Sequence, residues 1–254
     1  MRAATWPREE PLEERLLVVD PANGLSAVVV SVDPDAPRLC RVRFDRDGAP
    51  LFRALYAAGR PIQYAHVAKP LPLWLVQSTF ASRPWSFEAP SAGRPFTWSL
   101  LARLSEHGIA TTCVTHAAGI SSTGDDALDR RLPFPERYSI PEVAVRAIET
   151  ARARGGRVVA VGTTVTRALE SAALVHGALA PGDGEATLVL GPGYRPRIVD
   201  GLFTGMHARG TSHFALLEAF APAALLTDAI AHAESAGYLE HEFGDSCLVL
   251  PHAL

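Results

Sequence analysis

The spacing of hydrophobic residues changes near position 59, and the change divides the chain. Before it, three short runs rich in apolar and β-branched residues, Arg15–Asp20, Leu25–Asp33 and Leu39–Phe44, are separated by Pro-Ala-Asn-Gly and Pro-Asp-Ala-Pro turn signals. They predict a small antiparallel sheet. Three strands are too few to close a barrel, so this sheet must pack on something or belong to a larger one. A helix is expected around Pro50–Ala58, followed by a boundary near Gly59 and a proline-rich joint, Pro70-Leu71-Pro72-Leu73. The reading gives a partial, barrel-like antiparallel β domain over 1–58 and an α/β domain over 59–254.

Beyond the joint, helical and extended patterns alternate. Thr97 can cap a helix whose apolar face is Leu100, Leu101 and Leu104 and whose stop is Gly108, with a strand expected at Ile109–Thr115. Pro141 suits a helix start, Ala144, Ala147, Ile148 and Ala151 recur at helical spacing, and Gly155-Gly156 ends the run. A strand at Arg157–Val161 leads through Gly162-Thr163-Thr164 into a helix carrying Val165, Leu169 and Ala172. Further expectations are a strand at Ala186–Leu190, helices at Thr211–Phe220 and Ala223–Ala236, and a last strand at Ser246–Leu250. This alternation predicts a layered α/β architecture.

Composition narrows the class. In 254 residues, 48% hydrophobic content is enough for a sizeable core, so a disordered chain is excluded. No apolar run approaches the ~20 residues a bilayer crossing needs, and Met1–Arg15 is studded with charge rather than built like a secretory signal, so a cytoplasmic location is expected. The 24 cations against 27 anions leave a net charge of −3, unlike a dedicated nucleic-acid binder, so any such contact must be local. Cys40, Cys113 and Cys247 form no CxxC pair and are read as buried small apolar residues.

Candidate chemistry gathers in loops. Gly162-Thr163-Thr164 joins a strand end to a helix start, where bare amides, the helix dipole and two hydroxyls favour an anion; an ordinary glycine turn with a threonine cap fits the same residues. Pro90-Ser91-Ala92-Gly93-Arg94-Pro95-Phe96 is a small-residue loop through which a backbone can approach a ligand, with Arg94 as a fixed cation; a plain connection with a solvated arginine is the alternative. His207 lies in a glycine-flanked loop opening a helix, and His116 ends a predicted strand; either could be simply solvated. His241-Glu242-Phe243-Gly244-Asp245 puts carboxylates before the last strand, which turn chemistry also explains. Neither a metal-binding histidine pair, a nucleotide-binding glycine loop nor a Gly-x-Ser-x-Gly elbow is present. Glu88, Glu136 and Glu242 are further carboxylates whose orientation the sequence does not fix.

In order along the chain these segments resemble the S-adenosylmethionine:tRNA ribosyltransferase-isomerase family of queuosine biosynthesis. Leu71-Pro72-Leu73 resembles the family's Leu-Pro-Leu-Pro joint, Val76 to Phe80 its Tyr-Gln-Thr-x-Tyr stretch, and Pro90 to Gly93 its Pro-Thr-Ala-Gly. Val161-Gly162-Thr163-Thr164-Val165-Thr166-Arg167-Ala168-Leu169-Glu170-Ser171 is close to Val-Gly-Thr-Thr-Ser-Val-Arg-x-Leu-Glu-Ser and is the most specific match. Pro192-Gly193-Tyr194, Val199-Asp200, His207 and Phe243-Gly244-Asp245 follow the remaining Pro-Gly-Tyr, Val-Val-Asp, Asn-Phe-His and Tyr-Gly-Asp pattern.

The resemblance implies an α/β domain with an inserted β-barrel domain and a ligand cleft. It implies an enzyme that uses S-adenosylmethionine as a substrate, without a separate cofactor or metal. The ribosyl carbons pass to the aminomethyl group of a 7-deazaguanine in tRNA, adenine and methionine depart, and an epoxycyclopentanediol remains. The sulfonium acidifies the adjacent 5′ carbon, so a base must remove a proton there and a polar group must help adenine leave. His207, or a carboxylate such as Glu170 or Asp245, is the implied base. Substrate contacts are implied at Ser91, Gly93, Arg94, Gly162, Thr163, Thr164, Arg167 and Asp200, with the Gly162–Thr164 turn holding the methionine carboxylate and Arg167 reinforcing it.

The chain also departs from the pattern. The family's N-terminal segment, with its Asn-Asn-Thr-Arg stretch and the first part of the barrel, has no counterpart. Leu-His-x-Gly reads His116-Ala117-Ala118-Gly119, shifted by one position, which on a strand reverses the side chain's face. Pro-Thr-Ala-Gly-Leu-His-Phe ends as Arg94-Pro95-Phe96, His-Ser-Glu reads Phe134-Pro135-Glu136, and Gly205 stands for the Asn before Phe-His. Two alternatives stay open: a diverged paralogue acting on another small nucleoside, or a non-catalytic subunit that self-associates or pairs with a partner chain.

Overall fold

The computed structural model describes residues 16–36, 39–62, 67, 69–86, 88–240 and 243–251. Glu242 and Arg15 therefore lie outside the described residues. Contacts group the chain into two units, Met1–Leu73 with Asp125–Arg130, and Trp74–Gly124 with Arg131–Leu254. The change of unit falls at the proline-rich joint.

In the first unit β1 (Leu16–Asp20), β2 (Leu25–Val32) and β3 (Cys40–Phe44) form an open antiparallel sheet in chain order. Along β2, Leu25, Ala27 and Val29 are buried and alternate with more exposed neighbours, so one face is apolar as a pleated strand requires. Helix α1 (Gly48–Ala58) follows. The helix α4 (Asp126–Asp129), capped by the Asp125 carboxylate, also belongs to this unit.

The second unit holds two three-stranded sheets, one antiparallel and one mixed, that both contact one helix. After α2 (Leu73–Val76) and a 3-10 turn at Ser91–Gly93, helix α3 (Trp98–Glu106) is capped by the Thr97 hydroxyl, which accepts from the Leu100 amide at 3.2 Å. One sheet has the order β4 (Thr115–His116), β5 (Glu136–Ile140), β7 (Gly182–Ala186), all antiparallel; the other has β6 (Val159–Val161), β8 (Gly201–Gly205), β9 (Ser246–Val249), with β6 and β8 parallel. Helices α5 (Glu142–Ala153), α6 (Thr163–His176), α7 (Ser212–Leu217) and α8 (Ala223–Ser235) complete the unit. Every residue of α6 from Thr166 to Ala173 is buried, so these two turns are enclosed rather than amphipathic, while Leu174 and Val175 at the C-terminal end are exposed; the helix contacts β4 to β8. The core joins Ala168, Leu169 and Ala172 to Tyr138, Ile140, Ile148, Leu190, Leu202 and Phe214.

Several expectations shift. The strand expected at Ile109–Thr115 is only Thr115–His116: among the described residues no strand pairs with 109–114, and Ile109 is exposed. The strand expected at Ala186–Leu190 lies four residues earlier, at Gly182–Ala186, and only Ala186 is common to both. Its glycine-rich sequence is accepted because Tyr138 lies directly opposite Gly184, where a Cβ would sit 2.5 Å from the tyrosine oxygen. Strands β5 and β8 carry no clear sequence signal; β8 is short and bracketed by glycines, yet Leu202 and Thr204 are buried. The cysteines are not buried as expected. Cys40 starts β3 and Cys113 precedes the β4 pairing, both exposed, while Cys247 is half-buried in β9. Among the described residues no helix is long and apolar enough to cross a membrane.

Candidate functional site

Strand β6 ends at Val161 and Gly162 turns the chain into α6. The Gly162 φ of +102° is a conformation that L side chains rarely adopt, so the turn requires glycine. Its amide donates to the Phe203 carbonyl at 2.8 Å, which ties the turn to β8. A cavity of about 80 Å³ reaches Gly162, Thr163 and Thr164, and Ser91, Glu88, His116, Glu136, Arg167, Thr204, His207 and His213 share its walls.

Three histidines line this cleft in uncharged form. His207 places Nε2 2.9 Å from the Thr204 hydroxyl and stacks on His213 at 4.7 Å between ring centroids. Burial, with His213 beside it, holds its pKa down to about 3. Burial and the nearby Arg167 charge also lower His213. His116 Nδ1 is buried with no hydrogen-bond partner among the described residues, and burial lowers that ring to about 4. Where His207 Nε2–H donates to Thr204, Nδ1 keeps a free lone pair and can accept a proton.

The polar wall opposite is a buried ion pair. Arg167 Nη1 donates to Glu136 Oε2 at 2.5 Å, Nε to the Leu188 carbonyl, and Nη2 to the carbonyls of Phe134 and Ala186, each at 3.0 Å. The guanidinium thus fastens α6 to β5, β7 and the chain beyond it. Glu136 Oε1 accepts from the Gly119 amide at 2.8 Å. Burial pushes the Glu136 pKa up, against Arg167, that amide and the Thr164 hydroxyl, which makes its carboxylate more basic than one in water. Glu88 accepts from the Ser121 amide and hydroxyl at the same cleft.

The residues singled out from sequence separate into three places. Ser91, Gly162, Thr163, Thr164, Arg167 and His207 come together at the cleft. Arg94 and Asp245, again with Ser91, line a neighbouring cavity. Gly93 packs near the Phe80 ring and lines neither. Glu170 and Asp200 are also absent from both linings. The fully buried Glu170 carboxylate accepts from the Tyr194 hydroxyl and the amides of Arg197, Ile198 and Val199, at 2.9 to 3.1 Å. Asp200 accepts from the Val158 amide at 2.8 Å, which anchors the start of β8 beside β6. Glu136, whose orientation the sequence left open, and His213, which the sequence did not single out, also line the cleft. Glu136 had a signal, as the surviving acid of the His-Ser-Glu segment; His213 had none. Among the described residues no three His, Cys, Asp or Glu side chains converge as a metal ion would need.

Known proteins carry the same framework. The family model described as queuosine biosynthesis protein matches residues 3–249. The S-adenosylmethionine:tRNA ribosyltransferase-isomerase of Thermus thermophilus is 35% identical over 252 residues, covering 96% of this chain and 71% of that protein. The protein of the same name from Gloeobacter violaceus is 42% identical over 180 residues, 70% of this chain and 51% of the relative. The chain therefore spans between about half and seven tenths of the length of these relatives. The crystal structure of S-adenosylmethionine tRNA ribosyltransferase from Thermotoga maritima shares the fold with a TM-score of 0.51 at 24% identity, over 94% of this chain and 66% of that one. The chain belongs to the queuosine biosynthesis protein family.

Proposed function

We propose that this protein is an S-adenosylmethionine:tRNA ribosyltransferase-isomerase, consuming S-adenosylmethionine as substrate and modifying 7-aminomethyl-7-deazaguanine in tRNA. The observation that carries the reading is the cavity at the Gly162–Thr164 turn, lined by an uncharged His207 and the Glu136–Arg167 pair. The relatives' names supply the reaction, and the cavity supplies groups suited to it. His207 Nδ1 is the acceptor for the 5′ proton beside the sulfonium: the ring is neutral and so able to take a proton, but burial makes it a weaker base than a free imidazole, and the acidity that the sulfonium lends the 5′ carbon must drive the transfer. The Thr163 and Thr164 amides and hydroxyls are donors for the nucleoside's oxygens. Glu136, basic through burial, is the second group able to move a proton.

With a net charge of −3, tRNA must be held through local contacts. The test is incubation of the full chain with S-adenosylmethionine and tRNA carrying the aminomethyl base. Release of adenine and methionine together with the epoxycyclopentanediol nucleoside, read by mass spectrometry of the tRNA digest, is the expected result. Unchanged tRNA with intact S-adenosylmethionine overturns it.

A further inference from the structure

A second cavity, of about 220 Å³, adjoins the cleft through Ser91 and Ala92, which line both. Its remaining wall is Arg94, Pro95, Gly205 and the segment from Phe243 to Ser246. Arg94 is held at two points, by an Nη1 hydrogen bond to the Leu75 carbonyl at 2.6 Å and by its guanidinium lying 4.4 Å from the Phe243 ring centroid. Its Nε and Nη2 have no partner among the described residues. Asp245 is anchored through Oδ2, which accepts from the Leu239 amide at 2.8 Å, and its Oδ1 has no partner among the described residues. The two side chains form no ion pair with each other.

A fixed cation and a fixed anion thus face one small cavity, each with unused hydrogen-bonding capacity. A ligand that satisfies both must carry both signs on neighbouring atoms. A zwitterionic α-amino acid head group does so: its carboxylate matches the guanidinium fork and its ammonium the aspartate oxygen. The Gly162–Thr164 turn is a poorer place for that carboxylate, because Arg167 already spends four hydrogen bonds on Glu136 and three carbonyls, and the Glu136 charge opposes a second anion. Resting on the reading of S-adenosylmethionine as substrate, we infer that Arg94 and Asp245 bind its amino acid end in this second cavity. The nucleoside then lies across Ser91–Ala92 into the cleft.

Calorimetric titration of the full chain with three ligands tests this: S-adenosylmethionine, its decarboxylated form, and 5′-methylthioadenosine, which lacks the amino acid end altogether. Arg94→Met is expected to weaken S-adenosylmethionine at least about tenfold, the loss of one charged hydrogen-bonding partner. It should leave the other two ligands within about twofold. Asp245→Asn should weaken both ammonium-bearing ligands and spare 5′-methylthioadenosine, whose retained affinity also reports that each variant is folded. Equal weakening of all three ligands, or of none, overturns the assignment while leaving the activity intact. Failure of the unmodified chain to bind S-adenosylmethionine overturns the activity reading, and this assignment with it.

Discussion

Glu136 and Glu170 are both buried carboxylates in contact with helix α6 or its side chains, but their surroundings differ. Glu170 points into the core, and three backbone amides and a tyrosine hydroxyl close around it from residues 194–199. Glu136 lies at a cavity wall, balanced between one arginine, one amide and the Thr164 hydroxyl. The first has every acceptor used and nothing left for a ligand. The second remains basic and lies within reach of one. A carboxylate inside a family motif is therefore a brace or a reagent according to how many donors surround it, and sequence similarity alone does not distinguish the two.

The largest expected break of this contrast is Glu170→Ala. It strands three amides and a hydroxyl in the core, and with a desolvation cost of about 1–3 kcal/mol for each unsatisfied group the chain should lose its cooperative unfolding transition in urea. Next is Arg167→Met, which leaves Glu136 buried and uncompensated at about 3–5 kcal/mol; adding Glu136→Gln should recover a good part of that loss in the same denaturation assay. His207→Ala should lower the ribosyl transfer rate by about 100-fold or more with little change in melting temperature, as expected for a proton acceptor at a cavity wall. An unchanged rate would remove it from the mechanism.

Smaller effects sharpen the comparison. His116 and His207 have folded pKa values of about 4 and about 3 against an ordinary 6.5, and burial lowers His213 as well. The unfolded chain therefore takes up these protons first. The stability they contribute is whole above about pH 6.5 and falls as the pH drops, until about pH 4 for His116 and about pH 3 for His207, at about 1.4 kcal/mol per pH unit for each of these two. Glu136, raised rather than lowered, works in the opposite direction. A melting temperature that stays level between pH 7 and pH 4.5 would contradict the burial of these rings. The mildest of these changes is Gly162→Ala, at about 1–3 kcal/mol for holding a non-glycine residue at φ +102° and ψ 146°. The new methyl would meet Ala92 only at an ordinary 3.6 Å, so the cost is one of backbone φ rather than crowding.

Much of this was legible in the sequence where local chemistry decides the outcome. The Thr97 cap, the Gly162 turn and the α6 start follow from side-chain oxygens and from a glycine that permits positive φ, and they stand where expected. What was not legible depends on partners distant in the chain. Strand β7 forms on a polar glycine-rich run because β5 offers a matching edge. The carbonyls of its last residue, Ala186, and of Leu188 just beyond it accept from Arg167. Likewise Arg167 and Glu170 read as candidates for ligand contact because their motif is shared. Their four hydrogen bonds each come from segments 19 or more residues away, which no local pattern announces.

The enclosure of α6 also bears on how this protein could acquire new preferences. A helix whose middle two turns are buried all round cannot slide or rotate to suit a different molecule without dislodging Ala168, Leu169 and Ala172 from their neighbours. Its first turn is a fixed datum. Adaptation to another compound would have to be written in the loops at 88–94 and 205–213, whose side chains can be exchanged while the frame that aims them stays still.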